Sequence, residues 1–273
     1  MTTTRSAGRG EQVNDNGALE GLARLGLLAY GVVHLLIAWL ALQLAWGAAA
    51  GKDADPSGAM KTLADQSWGE VVLWLVAAGL AALALWQATE AIWGHRHRDG
   101  AHRLRKQVTS AAKTVVYAVL GYNAASVALG NGSSSSKTQQ DATEGVLAWP
   151  GGQTLVTVAG LVVIAVGVYL VSKGVRASFL KDLNTMSFSP GVRRAVKRLG
   201  QVGYIAKGAG LALVGGLLAW AAVTFDADKA RGLDGALQTV LQQPFGSYLL
   251  TAVALGFAAY GVFAMLQSRY LRM

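Results

Sequence analysis

The sequence predicts an all-α integral membrane protein with six transmembrane helices, arranged as three parallel repeats of two helices each. Three observations predict this class. Only 14% of the 273 residues are charged, against about a quarter in an ordinary soluble domain. Six nearly uncharged runs are each long enough to cross a bilayer, which takes about 20 apolar residues. Finally, these runs pair into units that repeat along the chain.

The six predicted spans are 25–46, 71–93, 110–130, 153–172, 203–224 and 247–267. A soluble helical bundle is the alternative, but each of its helices would carry a polar stripe. The run LLTAVALGFAAYGVFAML, which belongs to the last span, has none. We therefore expect a flexible polar tail at 1–20 and a single membrane domain at 21–273.

The distribution of basic residues predicts the orientation of the protein. Of 24 Lys and Arg residues, 19 lie in the N-terminal tail, the second and fourth loops, the C-terminus and the adjacent helix ends. By the positive-inside rule, both termini should face the cytoplasm of a bacterial plasma membrane. The net charge of +9 therefore indicates topology and attraction to anionic lipid headgroups at the cytoplasmic face. It does not indicate nucleic-acid binding.

The internal repeat is visible where GLLAYG (26–31), TSAAKT (109–114) and GYIAKG (203–208) align. The spacings from Gly31 to Gly69, from Thr114 to Gly152 and from Gly208 to Gly246 are all 38 residues. The resulting segments are repeat one (21–98), repeat two (103–175), an inner-surface linker (176–197) and repeat three (198–273). Because each unit crosses the membrane twice, successive units run in the same direction. A pseudo-threefold bundle or arc around the membrane normal is therefore predicted.

The connections between spans carry their own signals. Apolar stripes in GAMKTLADQSWG (58–69) and GALQTVLQQPFG (235–246) predict short outer helices in units one and three. NGSSSSKTQQ (131–140) in unit two predicts a flexible outer loop. In the linker, Phe179, Leu180, Leu183 and Met186 have helical spacing. They fit either a short helix on the inner membrane surface or an amphipathic connector packed on the bundle.

Several of these segments resemble one known family. The first matching pattern is a glycine followed by A-x-G and V-V-[HY]. The other matching segments are ALQTVLQQPFG, the second-helix run LGFAAYGVF, and FLKDL in the linker. This pattern resembles the membrane family catalogued as domain of unknown function 1206 and covers nearly the whole chain beyond the tail. The resemblance implies a six-helix bacterial membrane protein but no activity, substrate or functional residue. Unit two departs from the pattern, with Thr109 and Thr114 where the others have glycine, so the resemblance does not by itself imply close helix packing there.

Long polar side chains recur at one depth of the repeat. Lys207 aligns with Lys113 and Tyr30. Both lysines lie near the cytoplasmic end of a span, where a lysine can extend its ammonium to the headgroups. The alternative is a ring of three inward-facing groups around a solute path. Glu90 lies at a depth similar to that of Lys113, which fits a structural ion pair or, as an alternative, a proton relay.

His34 lies deeper than these groups. It is nine residues past Leu25, about 13 to 14 Å into a core about 30 Å thick. It aligns with Tyr117 and Leu211, so the imidazole is particular to unit one. It is either a neutral hydrogen-bonding residue or a protonatable or ligand-contacting one.

Two buried amides complete the set of polar candidates. Asn123 and Gln87 are expected to form interhelical hydrogen bonds, with ligand contact as the alternative. The candidate intramembrane polar layer therefore consists of Tyr30, His34, Glu90, Lys113, Tyr117, Asn123 and Lys207.

Several kinds of chemistry are absent from the sequence. There is no cysteine for a disulfide or a thiolate metal site. The arginines within HRHRDGAH (95–102) would repel a metal cation, so this segment is predicted to be a basic surface loop. No phosphate-binding loop, G-x-S-x-G or H-E-x-x-H motif occurs. We therefore predict no enzyme activity, catalytic residue, metal site or cofactor.

Two functions fit these expectations. The first is a permease or channel-like protein for a small solute or ion, with polar residues on the helix faces that meet at the pseudo-threefold axis. The alternative is a non-transporting scaffold or subunit that interacts with proteins or lipids. The directions of His34, Asn123 and Lys207 discriminate between them, because a transporter needs these groups to converge on one site.

Overall fold

The computed structural model describes residues 7–47, 53–92, 101–132, 135–183 and 189–270. The regular elements of these ranges are helical. Nine α-helices are described: α1 (Ala7–Ala45), α2 (Pro56–Ala64), α3 (Gly69–Ile92), α4 (Ala101–Ala128), α5 (Ser135–Leu147), α6 (Gly152–Val175), α7 (Pro190–Thr224), α8 (Leu233–Leu241) and α9 (Gly246–Tyr270). Short 3-10 helices at Ser178–Asp182 and Ala227–Lys229 connect some of them.

The helices confirm an all-α protein of membrane type. Five are long and apolar enough to cross a bilayer: Gly26–Ala45 within α1, and the whole of α3, α6, α7 and α9. The remaining predicted span, 110–130, lies in α4 up to Ala128. Helix α4 is not among these five, and Lys113 and Asn123 lower the mean hydropathy of its apolar stretch. At the N-terminus, α1 already begins at Ala7, within the stretch that was predicted to be a flexible tail.

The helices pack in an order that the repeat explains. The second long helix of each unit packs on the first long helix of the next, so α3 packs on α4, α6 on α7 and α9 on α1. Within units, α1 contacts α3 and α7 contacts α9. Along their described lengths, α4 and α6 do not pack extensively on each other. The long helices therefore follow the order α4, α3, α1, α9, α7, α6, which is an arc with both ends in unit two.

Glycines make the equivalent helix contacts in this arc. A Cβ added to Gly31 would lie 2.8 Å from the carbonyl oxygen of Gly261, and one added to Gly208 would lie 2.6 Å from that of Gly167. Gly261 and Gly167 occupy the same repeat position, as do Gly31 and Gly208. The helices therefore approach backbone to backbone, as small residues allow in membranes. Thr114 replaces this glycine in unit two, where α4 packs on α3.

The connections between the two long helices of each unit confirm two of the predicted short helices and correct the predicted loop. Helices α2 and α8 occupy the predicted places in units one and three. In unit two, residues 135–140 of the predicted flexible loop form the start of α5. Gln140 Nε2 donates to the carbonyl of Asp228 (2.9 Å) and Ser136 Oγ accepts from Gly232 N (3.2 Å). These contacts with unit three stabilise the helical start of α5. The Ser- and Gln-rich composition of the segment does not by itself indicate a helix.

Carboxylates join units one and three at the end of the protein where α2 and α8 lie. Asp234, near the start of α8, accepts a hydrogen bond from Ala54 N at 2.8 Å. Asp55 caps α2 by accepting from Gly58 N at 2.8 Å, while its Oδ2 is buried without a hydrogen-bond partner. Lys61 lies 3.8 Å from Asp53. Burial raises the pKa of Asp53 and of Asp234, and the neighbouring carboxylates add to this effect.

We expect Asp234→Asn to reduce the pH dependence of stability. Because the pKa of Asp234 is raised in the folded protein, its stabilising contribution is full below the unfolded value of about 3.9 and is lost as the pH rises through the folded pKa. The melting temperature of the wild-type protein should therefore rise as the pH falls from neutrality towards about pH 4, and that of the variant should rise less. Thermal unfolding in detergent measures this, with exposed Asp141→Asn as the control. An unchanged gain in Asp234→Asn would contradict the assignment.

The linker packs on the bundle rather than standing apart from it. Phe179 is 1% exposed and Leu183 is 2% exposed, and both belong to a buried cluster with Tyr204 and Phe263. The Phe179 ring stacks on Tyr204 with centroids 5.2 Å apart. This arrangement favours the packed connector over a helix on the membrane surface. Met186 lies outside the described residues.

Candidate functional site

The polar side chains of three helices meet around Lys207. Lys207 lies 17 residues from either end of α7, about 25 Å along the helix. Its Nζ donates a hydrogen bond to the Tyr30 hydroxyl of α1. It also lies 4.5 Å from the ring centroid of Tyr30 and 4.3 Å from that of Tyr260 on α9. Both distances are within the range of a cation–π interaction.

His34 lies one turn further along α1, against the same rings. It is 6% exposed, and its ring centroid is 4.3 Å from Tyr30 and 4.8 Å from Tyr260. Its Nδ1 lies 2.8 Å from the carbonyl oxygen of Tyr30. A carbonyl only accepts, so Nδ1 must carry a proton, and in the neutral imidazole Nε2 is then the acceptor. The histidine is therefore held in one orientation by its own helix.

Tyr204 extends this group of side chains towards the N-terminal end of α7. Its ring lies 5.4 Å from that of Tyr260, and Lys173 of α6 lies 5.2 Å from its centroid. We call Tyr30, His34, Tyr204, Lys207 and Tyr260 the Lys207 cluster. It combines residues of repeats one and three at the junction of α1, α7 and α9.

The local sequence explains how the cluster forms. Gly31 follows Tyr30 and Gly261 follows Tyr260, and the two glycines face each other. A Cβ added to Gly203 would lie 2.6 Å from the Tyr260 backbone, so α7 also approaches α9 closely. Because the backbones are close, the long side chains beside these glycines must share the space between the helices.

The structure brings together three of the predicted candidates, Tyr30, His34 and Lys207. Tyr117 of α4 is half-buried and packs against the buried apolar cluster between α2, α3 and α4. The Lys207 ammonium lies on aromatic rings that converge from neighbouring helices. Sequence reasoning missed Tyr204 and Tyr260. The signal that was available is the tyrosine directly before a glycine in GFAAYG.

The other candidates lie elsewhere. Lys113 is exposed and Asn123 half-buried on α4, and Glu90 is half-buried near the end of α3. The predicted pairing of Glu90 with Lys113 stays a prediction. Gln87 is 8% exposed on α3, and its Oε1 is buried without a hydrogen-bond partner.

The Lys207 cluster is rich in donors and aromatic faces. No carboxylate of the described ranges forms an ion pair with Lys207. The same ranges contain no group of three or more His, Asp or Glu residues that is suited to a metal ion. An apolar pocket of about 250 Å³ lies further along α7, between Gly216, Trp220 and Ala236, away from the cluster.

Comparison with known proteins places this architecture in a family. The model of the family described as Domain of Unknown Function (DUF1206) matches three times, at residues 25–94, 108–177 and 202–271. The chain is 33% identical over 258 residues to the uncharacterized protein YxxB of Bacillus subtilis (strain 168), covering 93% of this chain and 92% of the relative. No solved structure gives a significant match. The three matched units are those that the helix packing relates, and the chain belongs to the DUF1206 family.

Proposed function

We propose that this protein is a permease or channel-like protein for a small solute or ion in the bacterial cytoplasmic membrane. The observation that carries the proposal is the Lys207 ammonium within an apolar span, held by residues of two repeats. An ionisable residue inside a membrane span is costly, and such residues mark solute pathways in many membrane proteins. The proposal includes no catalysis, because the sequence carries none of the catalytic motifs sought.

The position of the cluster supports transport. Many transporters built from repeats bind their substrate near the middle of the membrane, at the interface between repeats. The Lys207 cluster lies between repeats one and three, and His34 is 11 residues, or about 16 Å, from the outer end of α1. A relative movement of the two repeats would separate Tyr30 from Lys207.

The proposed topology has six spans with both termini in the cytoplasm. Helix α4 serves as the third span, because its 28 residues measure about 42 Å and it packs lengthwise on α3. Lys113 then lies on a membrane-exposed face, from which its long side chain extends to the cytoplasmic headgroups. The basic loops and tails lie on the same side, where they attract anionic lipids.

Flux measurements test the proposal directly. The purified protein is reconstituted into liposomes, and solute entry is followed by light scattering after a jump in the concentration of small salts or neutral solutes. We expect at least one solute to enter several-fold faster than in protein-free liposomes. Lys207→Met should abolish the increase, because the only intramembrane cation of the cluster is removed.

The control for this experiment is Lys113→Met, which changes the lysine at the same repeat position in unit two. Flux should persist in this variant, since Lys113 is exposed and lies outside the cluster. Transport that is equal in wild type and Lys207→Met would contradict the role of the cluster. The absence of flux for every solute would contradict the permease.

The second candidate is a membrane scaffold or subunit. The open ends of the arc favour it, because α4 and α6 expose long apolar faces that include Val115, Val119, Leu161 and Val162. Such faces can contact lipid or another membrane protein. If the wild-type protein gives no flux of any solute in liposomes, the exposed faces of α4 and α6 become the candidate interaction surfaces.

A further inference from the structure

We infer that the Lys207 cluster is a binding site for a small monovalent anion. This inference rests on the proposed function, because it takes the Lys207 cluster to be the substrate site. The side chains that meet there supply an ammonium, the phenolic hydroxyls of Tyr30, Tyr204 and Tyr260, and the His34 imidazole. The ammonium and the phenols are able to donate hydrogen bonds, while His34 already donates its Nδ1 proton to the Tyr30 carbonyl. No carboxylate from the described part of the chain lies within ion-pair distance of the ammonium.

The neighbours of the Lys207 ammonium offset only part of the free-energy cost of burying its charge. It has three N–H donors, and the Tyr30 hydroxyl accepts one of them. The ring faces of Tyr30 and Tyr260 supply cation–π attraction. This attraction is smaller than the free-energy cost of removing an ion from water. A singly charged anion would supply the missing charge and accept the remaining donors.

The hydroxyl of Tyr30 is arranged to join such a site. Because it accepts the Lys207 proton, its own proton is free to be donated in another direction, and the Tyr260 ring lies beside it, with the two ring centroids 6.1 Å apart. An anion beside Nζ could therefore receive a hydrogen bond from a phenol as well as from the ammonium. Charge-assisted hydrogen bonds of this kind are among the strongest in proteins.

An organic cation is the competing ligand, since aromatic rings also bind ammonium groups. Here the faces of Tyr30 and Tyr260 are already taken by Nζ, at 4.5 and 4.3 Å. A second cation would meet the positive charge of Lys207 at close range in a medium of low dielectric constant, where repulsion is strong. The donors and the charge therefore favour an anion.

Thermal unfolding of the purified full-length chain in detergent tests for binding without requiring transport. Potassium chloride, nitrate and formate are compared with potassium gluconate at equal ionic strength. We expect at least one of the three small anions to raise the melting temperature saturably by a few degrees. Lys207→Gln should lose this shift, while Lys113→Gln should keep it.

A second variant keeps the inference testable if Lys207→Gln does not fold. Tyr30→Phe preserves the ring and removes only the hydroxyl, so it should weaken the apparent anion affinity several-fold. The inference is overturned if none of the three anions shifts the wild-type protein, or if tetramethylammonium chloride stabilises it more than potassium chloride does. It is also overturned if the shift persists undiminished in the folded cluster variant.

The two proposals fail in different ways. Anion-dependent stabilisation without flux in liposomes would support the binding site and contradict the permease. Flux of a neutral solute or a cation without any anion-dependent stabilisation would support the permease and contradict the anion site.

Discussion

Replacing Gly31 by Leu is expected to prevent folded protein from accumulating in the membrane. A Cβ at Gly31 would lie 2.8 Å from the carbonyl oxygen of Gly261 and 2.8 Å from Met265 Cγ. The oxygen belongs to a helix backbone, so it cannot move away as a side chain can. Overpacking by a methylene or two already costs about 1 to 3 kcal/mol. Four added carbons should therefore separate α1 from α9, which together hold most of the Lys207 cluster.

The matched control is Gly216→Leu on α7. No atom lies within 4 Å of a Cβ built at Gly216, and both glycines lie within candidate spans. The two substitutions change helix propensity and apolarity equally, so their difference isolates the contact between helices. Size-exclusion chromatography after detergent extraction should give a folded peak for Gly216→Leu and little or none for Gly31→Leu. Equal recovery of both variants would contradict the close α1–α9 contact.

Much of the helical architecture was predictable because membrane spans need only length and apolarity. The predicted spans 153–172 and 247–267 lie within α6 and α9, and α3 (Gly69–Ile92) covers all of the span 71–93 except its last residue. Helix α5 was not predictable, because its Ser- and Gln-rich start is held by contacts with unit three. The contact between α9 and α1 joins the two ends of the chain, and no local pattern indicates it. The constant register of the repeat predicts equivalent contacts but not which helices make them.

The internal repeat also made part of the candidate site predictable. Aligning the repeats singled out Lys207 and Tyr30, which the structure joins by a hydrogen bond. Lys113 has the same repeat position but is exposed, because α4 lies at an open end of the arc. Tyr260 has no tyrosine counterpart in the other units, where Leu83 and Val166 align with it. Equivalent sequence positions therefore have different surroundings once the arc is open.

Lys207→Met is expected to raise stability while it removes function. Methionine fills nearly the same space between Tyr30 and Tyr260 without a charge, and sulfur also contacts aromatic rings favourably. Exchanging buried charged groups for apolar ones of similar volume often stabilises a protein by about 1 to 4 kcal/mol. The lost cation–π contacts offset about 0.5 to 2 kcal/mol of this. A net gain of about 1 kcal/mol or more should therefore appear as a melting temperature higher by a few degrees.

The measurement is thermal unfolding in detergent with gluconate as the anion, with Lys113→Met as the matched control. The control should leave the melting temperature nearly unchanged, because its side chain is exposed. A lower melting temperature for Lys207→Met would mean that the ammonium holds α1, α7 and α9 together and that its role is structural. A higher one, combined with lost flux, would mean that the protein retains a destabilising charge in its membrane core. A charge that lowers stability indicates a functional role for Lys207. If the side chain served only to hold the helices together, an uncharged side chain would stabilise the protein more.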